Sequence, residues 1–363
     1  LSLVIALVLC GACPAFDKVF TRRLDEGVDY THIVRTMPSG QILSIHAVKL
    51  DLASGSFEVF PALARETVGR LESVDSIAKR YGALVAVNGS FFKRSRPYLP
   101  LGLLVINGSV ITKSLLNRSA VGISNDKEVK FGIPRFVGKI INKETGEELE
   151  IWGMNRPRKE HEIIIYTPEY GASTRTNENG VELIIEDDRV FGISSGNSPI
   201  PDNGYVISFH GWTRDYSNTL PPGANVEARY SLSEGWESID HVITAGPRLV
   251  ENSANVSGAC VRDEYCGSDL IGRNARSAIG MTLDNKLLIV VSEGNSARRN
   301  KRRKGLTYHE LAETLIVLGA KDAIALDGGS SSTLFLKDRV VNIPSDGFQQ
   351  GVSNALLVKL GKR

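Results

Sequence analysis

Near its C-terminal end the chain reads Asp327-Gly328-Gly329-Ser330-Ser331-Ser332, a carboxylate followed by two glycines and three hydroxyls. Consecutive glycines permit backbone conformations and close approaches that a Cβ would block. Successive N–H groups in such a turn form an anion-binding nest, and the hydroxyls add donors and acceptors. The combination suits a phosphate or an oxygen-rich sugar beside an acid. A second carboxylate, Glu293, stands in Ser292-Glu293-Gly294-Asn295. Paired carboxylates hydrolyse glycosides, one protonating the leaving oxygen while the other attacks the sugar or activates water. Taken alone, either acid is also an ordinary loop residue, and Asp-Gly is a common hairpin turn.

Two further residues sit where strands meet loops. Arg276, in Asn274-Ala275-Arg276-Ser277, precedes an apolar strand, where it suits a bidentate clamp on phosphate or a structural ion pair. Asn88, in Val87-Asn88-Gly89-Ser90, follows one, where it suits a substrate hydrogen bond or a turn. The stretch Arg298-Arg299-Asn300-Lys301-Arg302-Arg303-Lys304 gathers six positive charges in seven residues. Such a run is usually solvated loop, but its place after Glu293 suits the steering of an anionic substrate. The chain has no H-E-x-x-H or Walker A sequence, and no EF-hand spacing. No metal or cofactor is expected.

The elements that must carry these residues are mostly strands. Short apolar runs at 41–49, 84–87, 103–106, 182–186, 205–209, 242–244, 287–291, 323–326 and 333–336 alternate with Gly, Asn, Asp and Pro. Asn107-Gly108 and Asn179-Gly180 are hairpin or turn signals. A helix is expected over Val74–Tyr81, stopping at Gly82. A second follows the Thr307-Tyr308-His309-Glu310 capping box, with Leu311, Leu315 and Leu318 at helical spacing and Gly319 as its stop. The class is therefore α+β: a sheet-rich mixed sheet with a few helices. The strand–helix–strand crossover from 287 to 326 implies that its two strands run parallel. Their C-terminal ends would then share one edge, bringing Glu293 and Asp327 together.

The composition, 42% hydrophobic and 23% charged over 363 residues, is that of a chain able to build its own core. A formal net charge of +2 leaves no global footprint for nucleic acid, so none is expected as a partner. Residues 1–15 carry no charge and read as the apolar and cleavage regions of a secretory signal. Residues 16–363 would then form a single domain without a membrane span, secreted, periplasmic or at the cell surface. Lipidation at Cys13 is the less favoured alternative. Cys260 and Cys266 remain after such a cleavage, and an oxidising compartment favours a small loop-closing disulfide between them over a zinc pair.

Taken in order, several segments resemble the phosphodiester glycosidase domain family over about residues 40–360. They are Val85–Phe92, Pro100–Gly102, Ala245–Val250, Arg276–Gly280, Gly305–Thr307 with Glu310–Ala312, Leu326–Ser332 and Val352–Leu356. The resemblance implies hydrolysis of an N-acetylglucosamine-like sugar 1-phosphodiester at its glycosidic bond, in exopolysaccharide or glycoconjugate metabolism. Asp327 and Glu293 would be catalytic. Asn88, Arg276, Gly328, Gly329, Ser330 and Asn354 would bind substrate. The chain departs from the family pattern at Glu293-Gly294-Asn295, at Ser330 where a third glycine is usual, and at Gln350-Gly351. Two alternatives remain open: a non-catalytic polysaccharide-binding module, and an exo-acting hydrolase of phosphate-free glycosides.

Overall fold

A computed structural model describes residues 17–54, 56–258, 264, 272–294 and 303–361. The expected signal segment, all four cysteines and most of the basic run lie outside the described residues.

Strands dominate, as the alternating pattern led us to expect, and the mixed α+β class holds. The largest sheet has eight strands, in the spatial order Lys18–Asp25, Val28–Thr36, Ile42–Asp51, Lys286–Ser292, Arg276–Thr282, Ala320–Ala325, Arg248–Glu251 and Ala254–Asn255. Every neighbouring pair in it is antiparallel. A five-stranded sheet runs Arg339–Val340, Leu334–Leu336, Val85–Asn88, Asn354–Leu360 and Phe57–Leu63, also antiparallel throughout. Two further five-stranded sheets and a three-stranded one are built from residues between 104 and 244.

The crossover needs one amendment. Lys286–Ser292 and Ala320–Ala325 do run in the same direction, but Arg276–Thr282 lies between them, antiparallel to both. Their C-terminal ends share an edge while standing two strand spacings apart, about 9–10 Å.

Both expected helices form. Val74–Tyr81 ends at Gly82, whose left-handed φ of 65° lets its N–H reach the carbonyls of Ala78 and Lys79. Tyr308–Val317 starts with the reciprocal box: Thr307 Oγ1 accepts from Glu310 N–H at 3.2 Å, and Glu310 Oε2 accepts from Thr307 N–H at 3.1 Å. This helix packs on one face of the eight-stranded sheet through Leu311, Ala312 and Leu315, against Ala278, Leu288, Val290 and Ala323. The opposite face, with Ile279, Ile289, Val291 and Ile324, meets Val85, Val87, Leu334 and Leu356 of the five-stranded sheet in the main core. The two sheets therefore meet face to face, and the Asp327 loop leaves the seam between them.

Candidate active site

Asp327 follows the last core residue of its strand, Leu326, and is held from both sheets. Leu326 N–H donates to Ser277 O at 2.8 Å, Asp327 N–H to Gly89 O at 3.0 Å, and Gly329 N–H to Ala275 O at 2.8 Å. The loop then makes a single 3₁₀ turn, Gly329–Ser331, with Gly329 at a φ of 61° that disfavours any side chain. The expected nest does not form in full. The N–H groups of Gly329, Ser331 and Ser332 are bonded within the chain, and that of Gly328 donates to Asp327's own Oδ1 at 2.9 Å.

The Asp327 carboxyl is almost wholly buried, at 7% exposure. Burial pushes its pKa up to about 6, against the opposing effects of the Ser331 hydroxyl, the Arg94 charge, the Gly328 N–H and the Arg118 charge. Arg118 is itself buried; it donates to Ala245 O at 3.1 Å and its guanidinium lies 4.5 Å over the Phe91 ring. Ser90 Oγ, Ser332 Oγ and Thr333 Oγ1 are buried nearby without a hydrogen-bond partner among the described residues. Gly329 and Ser330 are the more open positions of the loop.

Arg276 lies against the loop at Gly328, and its contacts are more structural than a bare clamp. Its Nε donates to Leu306 O at 3.1 Å, Nη2 donates to Gly272 O at 2.7 Å, and the guanidinium lies 4.0 Å over the Tyr308 ring. Burial lowers its pKa, with Tyr308 opposing that. Tyr308, the first residue of the helix, is raised by burial, and the Asp327 charge adds to that.

Asn88 and Asn354 are fully buried, and their amides brace the backbone around the Asp327 loop. Asn88 Nδ2 donates to Asp327 O at 2.6 Å, while Oδ1 accepts from Ser277 Oγ at 2.8 Å and Thr333 N–H at 3.1 Å. One amide thus ties both sheets to the loop. Asn354 Oδ1 accepts from Ser90 N–H at 2.9 Å. A Cβ at Gly89 would lie 2.0 Å from that Oδ1, so the close approach requires glycine there.

Glu293 differs most from expectation. Ser292 pairs with Arg276, and paired residues share a face of the sheet. Arg276 points to the helix face, so Glu293 points to the other. There Glu293 Oε1 meets His46 Nε2 at 3.1 Å and accepts from Ile343 N–H at 3.0 Å, and Oε2 pairs with Arg303 Nε at 3.0 Å. Tyr30 OH reaches His46 Nδ1 at 2.8 Å. Burial works to raise the pKa of Glu293, but His46, the Ile343 N–H and the Arg303 charge outweigh it and hold the carboxyl low. Topology brings the two acids to one edge; the pleat gives them separate surroundings. Among the described residues no group of three His, Cys, Asp or Glu could hold a metal ion.

Arg94, Arg118, Tyr308 and His46 escaped the sequence reading. Arg118 lies in Asn117-Arg118-Ser119 and His46 within an apolar strand, and neither setting marks a site. Tyr308 was visible only as a capping-box residue.

Asp327 is thus a buried acid of raised pKa near the Arg94 and Arg118 charges, where two antiparallel sheets meet. Residues 179–359, just under half of the chain, match the family model described as phosphodiester glycosidase. Asn88 and Gly89 come from outside the matched stretch. A 91-residue segment is 31% identical to a Bacillus subtilis (strain 168) SPbeta prophage-derived uncharacterized protein, YomE, covering 25% of this chain and 14% of that one. A hypothetical protein from Synechocystis superposes with a TM-score of 0.80 at 25% identity, over 96% of this chain and 64% of its own. The chain thus spans less than two thirds of either relative. At 14% identity the fold also matches the zebrafish N-acetylglucosamine-1-phosphodiester α-N-acetylglucosaminidase catalytic domain, auto-inhibited by its pro-peptide. That match has a TM-score of 0.54 over 96% of this chain and 89% of the other.

Proposed function

We propose that the chain hydrolyses the glycosidic bond of a sugar 1-phosphodiester, releasing the sugar and a phosphomonoester. The observation that carries this reading is Asp327: a buried carboxyl with its pKa raised to about 6, within reach of the Arg94 and Arg118 charges and beside Arg276. A phosphomonoester leaves with little need for full protonation, because its second pKa is about 6. The harder task is activating water. Asp327 is a stronger base than an ordinary carboxylate and is still ionised above pH 6. Water attacks the anomeric carbon and gives its proton to Asp327. The carbon–oxygen bond breaks, its electron pair goes to the phosphate oxygen, and Asp327 then returns the proton to solvent. The arginines offset the negative charge of the phosphate. Ser90, Ser332 and Thr333 offer hydroxyls to those of the sugar.

In this reading Glu293 is a positioning residue that ties Arg303 and the Ile343 backbone to the sheet edge. The N-acetylglucosamine identity of the sugar, a role in exopolysaccharide or glycoconjugate metabolism and export from the cytoplasm belong to the same proposal. A fold relative from Burkholderia pseudomallei, 17% identical with a TM-score of 0.80 over 99% of both chains, is named as an exported protein. No helix among the described residues is long and apolar enough to cross a membrane. The test is incubation with a methyl phosphodiester of N-acetylglucosamine. Equal amounts of free sugar and methyl phosphate support the reading, and an intact diester overturns it.

A further inference from the structure

The segment after Phe92 runs from the neighbourhood of Asp327 into a surface cleft. Arg94 acts on Asp327 through its charge, and Arg96 lines a cleft of about 790 Å³. Gly89 O accepts from Asp327 N–H at 3.0 Å, and the seven residues that follow Gly89, as far as Arg96, span at most about 25 Å, so the cleft lies within reach of an oligomeric substrate held at Asp327. Arg65, Arg70 and Arg175 also line it, with Tyr98 and Tyr170, and no carboxylate does among the described residues. Arg65, Arg70 and Arg96 are exposed and make no side-chain hydrogen bond or ion pair among the described residues. Arg175 is aimed by its bond to Tyr170 O at 3.1 Å and lies 5.1 Å over the Tyr170 ring.

Nearby acids are already engaged. Glu66 and Glu72 pair with Arg80, and Glu169 accepts from the Thr167 hydroxyl. Backbone bonds fix the walls to one another: Gly69 bridges to Tyr98, and Val68 N–H donates to Glu169 O at 2.8 Å. Like charges gathered in one cleft repel one another, and among the described residues only Arg175 of the four is fixed by side-chain contacts of its own. They focus a positive field in a space large enough for more than one sugar residue.

We propose that this cleft binds a second phosphate of the substrate, which is therefore an oligomer of phosphate-linked sugars rather than an isolated sugar phosphodiester. The proposal rests on the hydrolase reading for its substrate, but its binding step can be tested apart from turnover. Inorganic polyphosphate of about ten units serves as the probe, with calorimetry on the wild-type chain, on Asp327→Asn and on the double variant Arg70→Gln/Arg96→Gln. Wild type and Asp327→Asn are expected to bind it equally. The double variant should bind roughly tenfold more weakly, since it loses two charge-assisted contacts at exposed positions. Its affinity should also depend less steeply on salt, because fewer counterions are released. With substrates, KM for a phosphate-linked oligomer should rise in the double variant while turnover of the methyl phosphodiester stays unchanged. Equal polyphosphate binding by wild type and the double variant would overturn the proposal. So would tighter binding of single-stranded DNA of the same phosphate count. Absence of turnover by the wild-type chain with polyphosphate binding intact would instead count against the hydrolase reading alone.

Discussion

Replacing Asp327 by Asn should make the protein more stable at neutral and alkaline pH while removing its activity. The folded carboxyl has a pKa of about 6 against an ordinary value of 3.8. Above pH 6 it is ionised in both folded and unfolded states, and folding bears the full cost of burying the charge. That cost is about 3 kcal/mol, at ~1.4 kcal/mol per pH unit of displacement. It shrinks as pH falls through 6 and is gone below about 3.8, where both states are protonated. Asparagine imitates the protonated acid: it keeps an oxygen for the Gly328 N–H and a polar group for Ser331. A gain of roughly 1–3 kcal/mol is expected at pH 8, allowing for imperfect mimicry. Urea titrations at pH 8 and pH 4.5 measure it, and the midpoint should rise by about 0.5–1 M at the higher pH. At pH 4.5 most of the gap should close. A variant less stable than wild type at pH 8, or a gap independent of pH, would refute the argument that burial of an ionised Asp327 is stored strain at the site.

Three other outcomes follow from the same geometry. Asn88→Ala removes the amide that joins Asp327 O, Ser277 Oγ and Thr333 N–H, and should cost about 2–4 kcal/mol in chemical denaturation and lower kcat. Gly89→Ala forces a Cβ to 2.0 Å from Asn354 Oδ1 and should destabilise by at least ~1–3 kcal/mol, measurable as a lower urea midpoint. Glu293→Gln should keep measurable turnover, unlike Asp327→Asn. Its folded pKa is held low, so the stability that Glu293 adds is present above its ordinary pKa of 4.5 and lost as pH falls below that. The stability gap between wild type and Glu293→Gln should accordingly narrow in acid, and a gap that widened there would exclude the His46 and Arg303 contacts as its source.

Local signals carried far in this chain. Gly82 stops its helix through an αL residue, and Thr307 with Glu310 starts the other; each depends on neighbours within four residues. Asn107 and Gly108, with φ of 50° and 75°, close a two-residue hairpin as their types demand. Strand order was not legible in the same way. Arg276–Thr282 separates the two crossover strands because pairing is decided by distant surfaces, and a crossover helix is compatible with a strand lying between. That one strand changes the site: it fills the gap between Glu293 and Asp327 and puts Arg276 in it. The residue types along Lys286–Ser292 form a continuous apolar run without alternation, so which face meets the helix depends on the partner sheet. Arg118 and His46 lie 209 and 281 positions before Asp327 along the chain. No spacing rule links such positions, so only the folded chain joins Arg118 to the site and gives Glu293 to His46.

The most direct test of the central claim is the rate of sugar release from the methyl phosphodiester of N-acetylglucosamine, followed from pH 4.5 to 8 for wild type and Asp327→Asn. The account predicts release by wild type, with kcat/KM rising as pH increases through about 6, and loss of that activity in the variant by at least ~100-fold. Release by Asp327→Asn at the wild-type rate, or none by wild type at any pH, would contradict it.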